Sequence, residues 1–150
     1  MAYVSAADLH APTVSLVRDV MPILEKSCAA GGATCHGDPS VVSDRVPRPF
    51  LGYDGAPDAG ADVAEVRGGL VNVKSREDLS MDLVAPGDPA RSFLMHKVDG
   101  DQCTLMAECA IGNSIRPNCG AFMPYQAPTV LDVQTRDTLR GWIAQGAGDN

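Results

Sequence analysis

Five cysteines constrain this 150-residue chain more than any other feature: a pair near the start (Cys28, Cys35) and a trio near the end (Cys103, Cys109, Cys119). Five is odd, so a scheme of disulfides alone leaves one thiol to explain. In a reducing compartment such a set points to metal binding or catalysis, and in an oxidising one to disulfides. The chain around them is rich in breakers and poor in rings, with 15 Gly and 11 Pro against three Phe, three Tyr and one Trp. Aromatic side chains bury roughly 150–250 Å² each and usually dominate a core. A loop-rich chain this short of them is expected to draw part of its core from something other than protein. At this length, with 45% hydrophobic residues, we expect one domain over residues 1–150, with residues 1–12 as an N-terminal arm.

Charge narrows the partners. There are 12 basic and 19 acidic residues, for a net charge of −7, and the three Lys and nine Arg form no cluster. A nucleic-acid partner is therefore not expected, since phosphate binding needs a basic stripe. No apolar run approaches the ~20 residues of a membrane helix, so no membrane span is expected in this chain. The first residues carry no charged segment followed by an apolar one, as a leader for export would.

Helical periodicity appears at three places. Leu16, Val17, Val20, Met21 and Leu24 recur on one face, predicting an amphipathic helix that opens near Pro12 and runs to about Ser27, with Pro22 kinking it or tightening its last turn. Asp88 and Pro89 read as an N-cap and first helical residue, with a helix over Ala90 to Val98 stopped by Gly100. Asp132 reads as the N-cap of a last helix whose stripe is Leu139, Trp142 and Ile143, ending at Gly146. Between them lie a long wrapped loop from Ala29 to about Asp62, a short helix over Asp62 to Arg67 ended by Gly68-Gly69, and one or two short extended pieces within Leu70 to Val84. A second irregular stretch covers Asp101 to Pro128. There is no internal repeat and no low-complexity tract.

Cys28 to His36 reads Cys-Ala-Ala-Gly-Gly-Ala-Thr-Cys-His. A cysteine followed at once by histidine, with a second cysteine a short loop upstream, lets thiols add to the vinyl groups of a haem while the histidine takes its iron. Two residues usually separate the cysteines, and here six do. From the residues alone two outcomes stay open: haem attachment, or a cysteine paired with another cysteine while His36 caps a loop. Met123, followed by Pro124, supplies a soft thioether suited to iron opposite a histidine, whereas Met95, between Leu94 and His96, reads as core filler. His96 is an alternative second ligand, with local bonding or exposure the ordinary expectation; His10 is expected to be exposed. Phe50, Tyr53, Phe122 and Tyr125 read either as lining for a haem crevice or as ordinary packing, and Arg45 and Arg48 either as propionate partners or as surface charges.

Four stretches together resemble the class I c-type cytochromes of bacteria, in particular single-haem domains of exported proteins. They are Asp19 to Gly37, Pro86-Gly-Asp-Pro-Ala-Arg-Ser-Phe-Leu-Met-His-Lys, Cys119-Gly-Ala-Phe-Met-Pro, and Leu139-Arg-Gly-Trp-Ile-Ala-Gln-Gly-Ala, in the family's order. The resemblance implies a mainly α, cytochrome c-like fold with the first and last helices packed across each other around one haem c. It makes Cys28 and Cys35 the thioether anchors, His36 the proximal iron ligand and Met123 the distal one. The six-residue spacing departs from the family and bears on Cys28. Two thioethers leave Cys103, Cys109 and Cys119, with one disulfide among them and one free thiol. One thioether, at Cys35, leaves four cysteines for two disulfides. The two-thioether form is the expectation.

With both axial positions filled the iron has no open site, so the expected function is electron transfer and not catalysis. The acidic surface implies redox partners with a basic docking face. Haem attachment and disulfides imply a periplasmic or extracellular protein whose leader has been removed, or a domain of a longer exported one. Two other readings compete: a disulfide-stapled exported domain without haem, binding zinc or copper through Cys35 and His36 or mediating contacts, and a haem protein with open iron acting as a peroxidase or sensor. No paired-cysteine, paired-histidine zinc spacing is present.

Overall fold

The computed structural model describes residues 3–30, 35–37, 49–52, 62–105, 107, 109 and 119–150. Among these the protein is mainly helical, without regular strands, and no helix is long and apolar enough to cross a membrane.

The first helix, α1, spans residues 16–29 and is wound unevenly: π turns over Leu16–Val20, an α turn over Met21–Leu24, and a π turn again over Glu25–Ala29. It opens at Ser15 and not near Pro12. The Ser15 hydroxyl accepts the Arg18 amide at 3.2 Å, and Asp19 Oδ2 accepts the Ser15 amide at 2.8 Å, a reciprocal cap that satisfies two orphan donors. Arg18 and then the Ser15 amide hold the Asp19 carboxyl below its ordinary pKa. Pro22, which lacks an amide proton, lies in the α turn between the two wide ones. Of the two distortions expected there, a kink or a tightened last turn, the tightening is not found: the turns on both sides are wide. Val17, expected on the buried face, is 53% exposed, while Leu16, Val20 and Leu24 are fully buried.

Helix α2 (Asp62–Leu70) runs through Gly68-Gly69 instead of stopping at them. Two helical glycines cost roughly 2 kcal/mol relative to alanine, and complete burial of Leu70 returns about as much. The chain turns instead at Asn72, in the left-handed region. The extended pieces expected before Val84 reduce to isolated bridges, Val71 with Val84 and Lys74 with Asp82. The helix expected over Ala90 to Val98 is split. Asp88 Oδ1 accepts the Arg91 amide at 3.1 Å over a 3-10 turn (Pro89–Arg91), Ser92 is extended, and helix α3 (Phe93–Asp99) follows and stops at left-handed Gly100. A further 3-10 turn covers Gln102–Leu105. Helix α4 (Val133–Ala144) begins as expected at Asp132, whose carboxylate accepts the Thr135 amide at 3.0 Å and its hydroxyl at 2.6 Å.

The main core gathers Leu16, Val20 and Leu24 from α1, Val66 and Leu70 from α2, Leu94, Met95 and Val98 from α3, and Leu139, Trp142 and Ile143 from α4. Helix α4 packs on both α1 and α3. Trp142 is the one ring among its fully buried members, and its indole N–H donates to Gly148 O at 2.8 Å, so its ring nitrogen is satisfied. The N-terminal arm, unpatterned in sequence, is tied down. The Gln145 amide nitrogen donates to Leu9 O and Pro12 O, and its oxygen accepts the Val14 amide. The ring of Tyr3 stacks under Arg136 and Arg140, at 4.3 and 4.7 Å. Both arginines also bind Asp99 at the end of α3, and all three charged side chains are largely buried.

Removing one partner from a buried ion pair strands the others, so Asp99→Ala is expected to cost about 3–5 kcal/mol in urea unfolding. Asp132→Ala should lower the unfolding temperature at neutral pH. Its carboxyl is held below the ordinary value by the Thr135 hydroxyl and amide. The stabilisation is full above that ordinary value and fades as pH falls through the depressed one. The gap between variant and wild type should therefore close in an acid titration.

Candidate functional site

Cys28 lies in the last π turn of α1, 6% exposed and within the main core. The chain comes back to it at once. The His36 amide donates to Cys28 O at 3.1 Å, and the Leu51 amide donates to His36 O at 2.9 Å, so His36 is bracketed by main chain on both sides. Its ring is fixed as well, with Nδ1 at 2.8 Å from Pro49 O. A carbonyl can only accept, so Nδ1 carries the proton and the neutral ring has its lone pair on Nε2. A histidine that ligates a metal is oriented in this way by a hydrogen bond from its other nitrogen.

The segment supplying that carbonyl is itself anchored. Leu51 is buried in the core, and Gly52, with φ +107°, passes so close to α1 that a Cβ there would lie 2.6 Å from Glu25 Cγ. The Pro49 carbonyl is a support of the His36 ring that sequence reasoning missed. Its only sequence signal was a proline of fixed φ in the loop after the Cys-His step.

The two cysteines of this loop are both thiols. Burial, and then the charge of neighbouring Cys35, push the Cys28 thiol up to about 12. The remaining cysteines divide differently: Cys109 and Cys119 are joined by a disulfide with Cα atoms 5.4 Å apart, and Cys103 is an exposed thiol. Cys28 and Cys35 both lie outside that disulfide.

Met123 is seated elsewhere, on α3, where its amide donates to Lys97 O at 2.8 Å. Cys119 and Gly120, which lead into it, are both in the left-handed region. The structure therefore brings His36, with Cys35 before it, back to Cys28 at the end of α1 and places Met123 on α3. The link between them is α4, which packs on both helices.

The other candidates fall out as follows. His96 has both ring nitrogens engaged, Nδ1 with Asp101 Oδ1 at 2.8 Å and Nε2 with Ala90 O at 3.1 Å, so it is locally bonded. His10 is exposed and Met95 is in the core. Phe50 packs against the core, Phe122 is half-buried, and Tyr125 is 56% exposed. Arg45, Arg48, Tyr53 and Gly31-Gly32 of the six-residue spacer lie outside the described residues. Comparison with known proteins finds no family model, no curated protein and no solved structure that matches this chain.

Only thiolates alkylate readily. In the folded chain without a bound group, Cys103 is expected to react with iodoacetamide at neutral pH well before Cys28. Peptide mapping after short pulses would show this, and equal labelling of the two would contradict the burial of Cys28.

Proposed function

We propose that this chain is an electron-transfer protein carrying one covalently bound haem c. Cys28 and Cys35 would hold the group as thioethers, with His36 as proximal and Met123 as distal ligand. The observation that carries this reading is the hydrogen bond from His36 Nδ1 to Pro49 O, which sets the tautomer that a ligating histidine needs, beside Cys35 in sequence and with its amide on the Cys28 carbonyl. The donor set fits: an imidazole in the required tautomer, two cysteines outside the Cys109–Cys119 disulfide, and a thioether on a braced segment. A bound haem supplies a one-electron couple whose potential follows its axial ligands and burial.

The protein's own groups do the rest. The Pro49 carbonyl keeps the imidazole oriented and raises its basicity, and the core around Cys28 excludes water. The net charge of −7 steers encounters toward a basic face on the partner, an attraction that salt weakens. The disulfide accords with an oxidising compartment, hence with a periplasmic or extracellular protein.

Intact mass and alkylation after reduction test the attachment. One haem per chain is expected, with only Cys103, Cys109 and Cys119 taking up reagent; free alkylation of Cys28 would reject its thioether. Met123→Ala should keep the covalent haem, lower the reduction potential and admit exogenous ligands. An unchanged potential would remove Met123 from the ligand set. His36→Ala should abolish stable holo-protein. A wild type with no Soret band leaves the disulfide-stapled domain, and a high-spin spectrum the open-iron protein.

A further inference from the structure

Lys97 stands out as a charged residue turned into the protein on α3, only 7% exposed. A buried ammonium is costly unless its protons find acceptors. Here Nζ donates to Cys119 O at 2.7 Å and to Glu77 Oε2 at 2.8 Å, and lies 5.6 Å from the centre of the Phe93 ring. The carbonyl of the same residue accepts the Met123 amide at 2.8 Å. One residue thus grips both ends of the segment 119–123, by its side chain at Cys119 and by its main chain at Met123.

The segment between those grips is confined from other directions. Cys119 is fastened to Cys109 and Gly120 is left-handed, as is Cys119. Gln102 Nε2 donates to Gly120 O at 3.4 Å, and a Cβ on Gly120 would fall 2.7 Å from Glu77 Oε1. The ammonium contact lies at the cysteine whose backbone conformation starts the turn toward Met123.

We propose that Lys97 is the positioning residue for the Met123 ligand, a role that rests on the reading of Met123 as the distal ligand. A lysine serving only as half of an ion pair with Glu77 would affect stability alone. A positioning lysine governs how firmly the Met123 sulfur is held, which ligand competition measures separately.

The test compares holo-protein of the wild type, Lys97→Met, and Lys97→Met combined with Glu77→Gln. The double variant removes the stranded carboxylate and so guards against simple unfolding. Both variants are expected to keep covalent haem and wild-type far-ultraviolet circular dichroism. Losing a charge-assisted hydrogen bond should make imidazole bind ferric iron about tenfold more tightly, and the Met123 amide exchange with solvent about tenfold faster, than in the wild type. Wild-type imidazole affinity and exchange in the double variant, beside a wild type showing the ferric sulfur-to-iron band, would overturn the Lys97 assignment alone. A wild-type haem spectrum without that band would overturn the distal-ligand reading, and the positioning role with it.

Discussion

The contact between the first and last helices supports everything else in this molecule. Leu16, Val20 and Leu24 line one face of α1, and Leu139, Trp142 and Ile143 one face of α4, and these six side chains belong to a single buried cluster. A fully buried aliphatic side chain contributes about 1.5–3 kcal/mol, so this contact outweighs any individual hydrogen bond in the loops. It also fixes the site. Cys28 lies at the C-terminal end of α1, and α4 packs in turn on α3, which carries the main-chain acceptor for Met123. The residues around His36 and the segment 119–123 are thereby referred to one frame of helices.

The frame is closed by polar groups as well. Asp99 on α3 binds Arg136 and Arg140 on α4, and both arginines cover the ring of Tyr3. Arginine suits this position because its planar group can accept a ring on its face while its edge donates to a carboxylate. The arrangement converts an N-terminal arm with no apolar pattern into a strap across the last helix.

How much of this was legible depended on how local the cause was. The stripes of Leu16, Val20 and Leu24 and of Leu139, Trp142 and Ile143, the cap at Asp132 and the stop at Gly100 all arise within a few residues, and they read correctly. Gly68-Gly69 misled because the burial of Leu70 is a tertiary fact that overrides local propensity. Pro22 signalled a distortion but not its form: a missing donor permits a wider turn as readily as a tighter one. At the site, Cys28, Cys35, His36 and Met123 were visible as residue types with chemistry. Their supports were not, because a carbonyl such as that of Pro49 or Lys97 has no sequence signature of its own. The Cys109–Cys119 pairing was one of several left open, since spacing alone does not choose among three cysteines.

The bond from Val14 to Gln145 joins residues 131 positions apart. Pairings of such long range make folding slow, because a large loop must close before they return anything. The apolar face of α1 therefore stays without its main cover until the final helix has been made and has docked. Cys28, on the last turn of the same helix and in the same core, stays uncovered over the same interval. The last twelve-residue helix is thus the piece that closes the core, and the burial of the start of the chain waits on its far end.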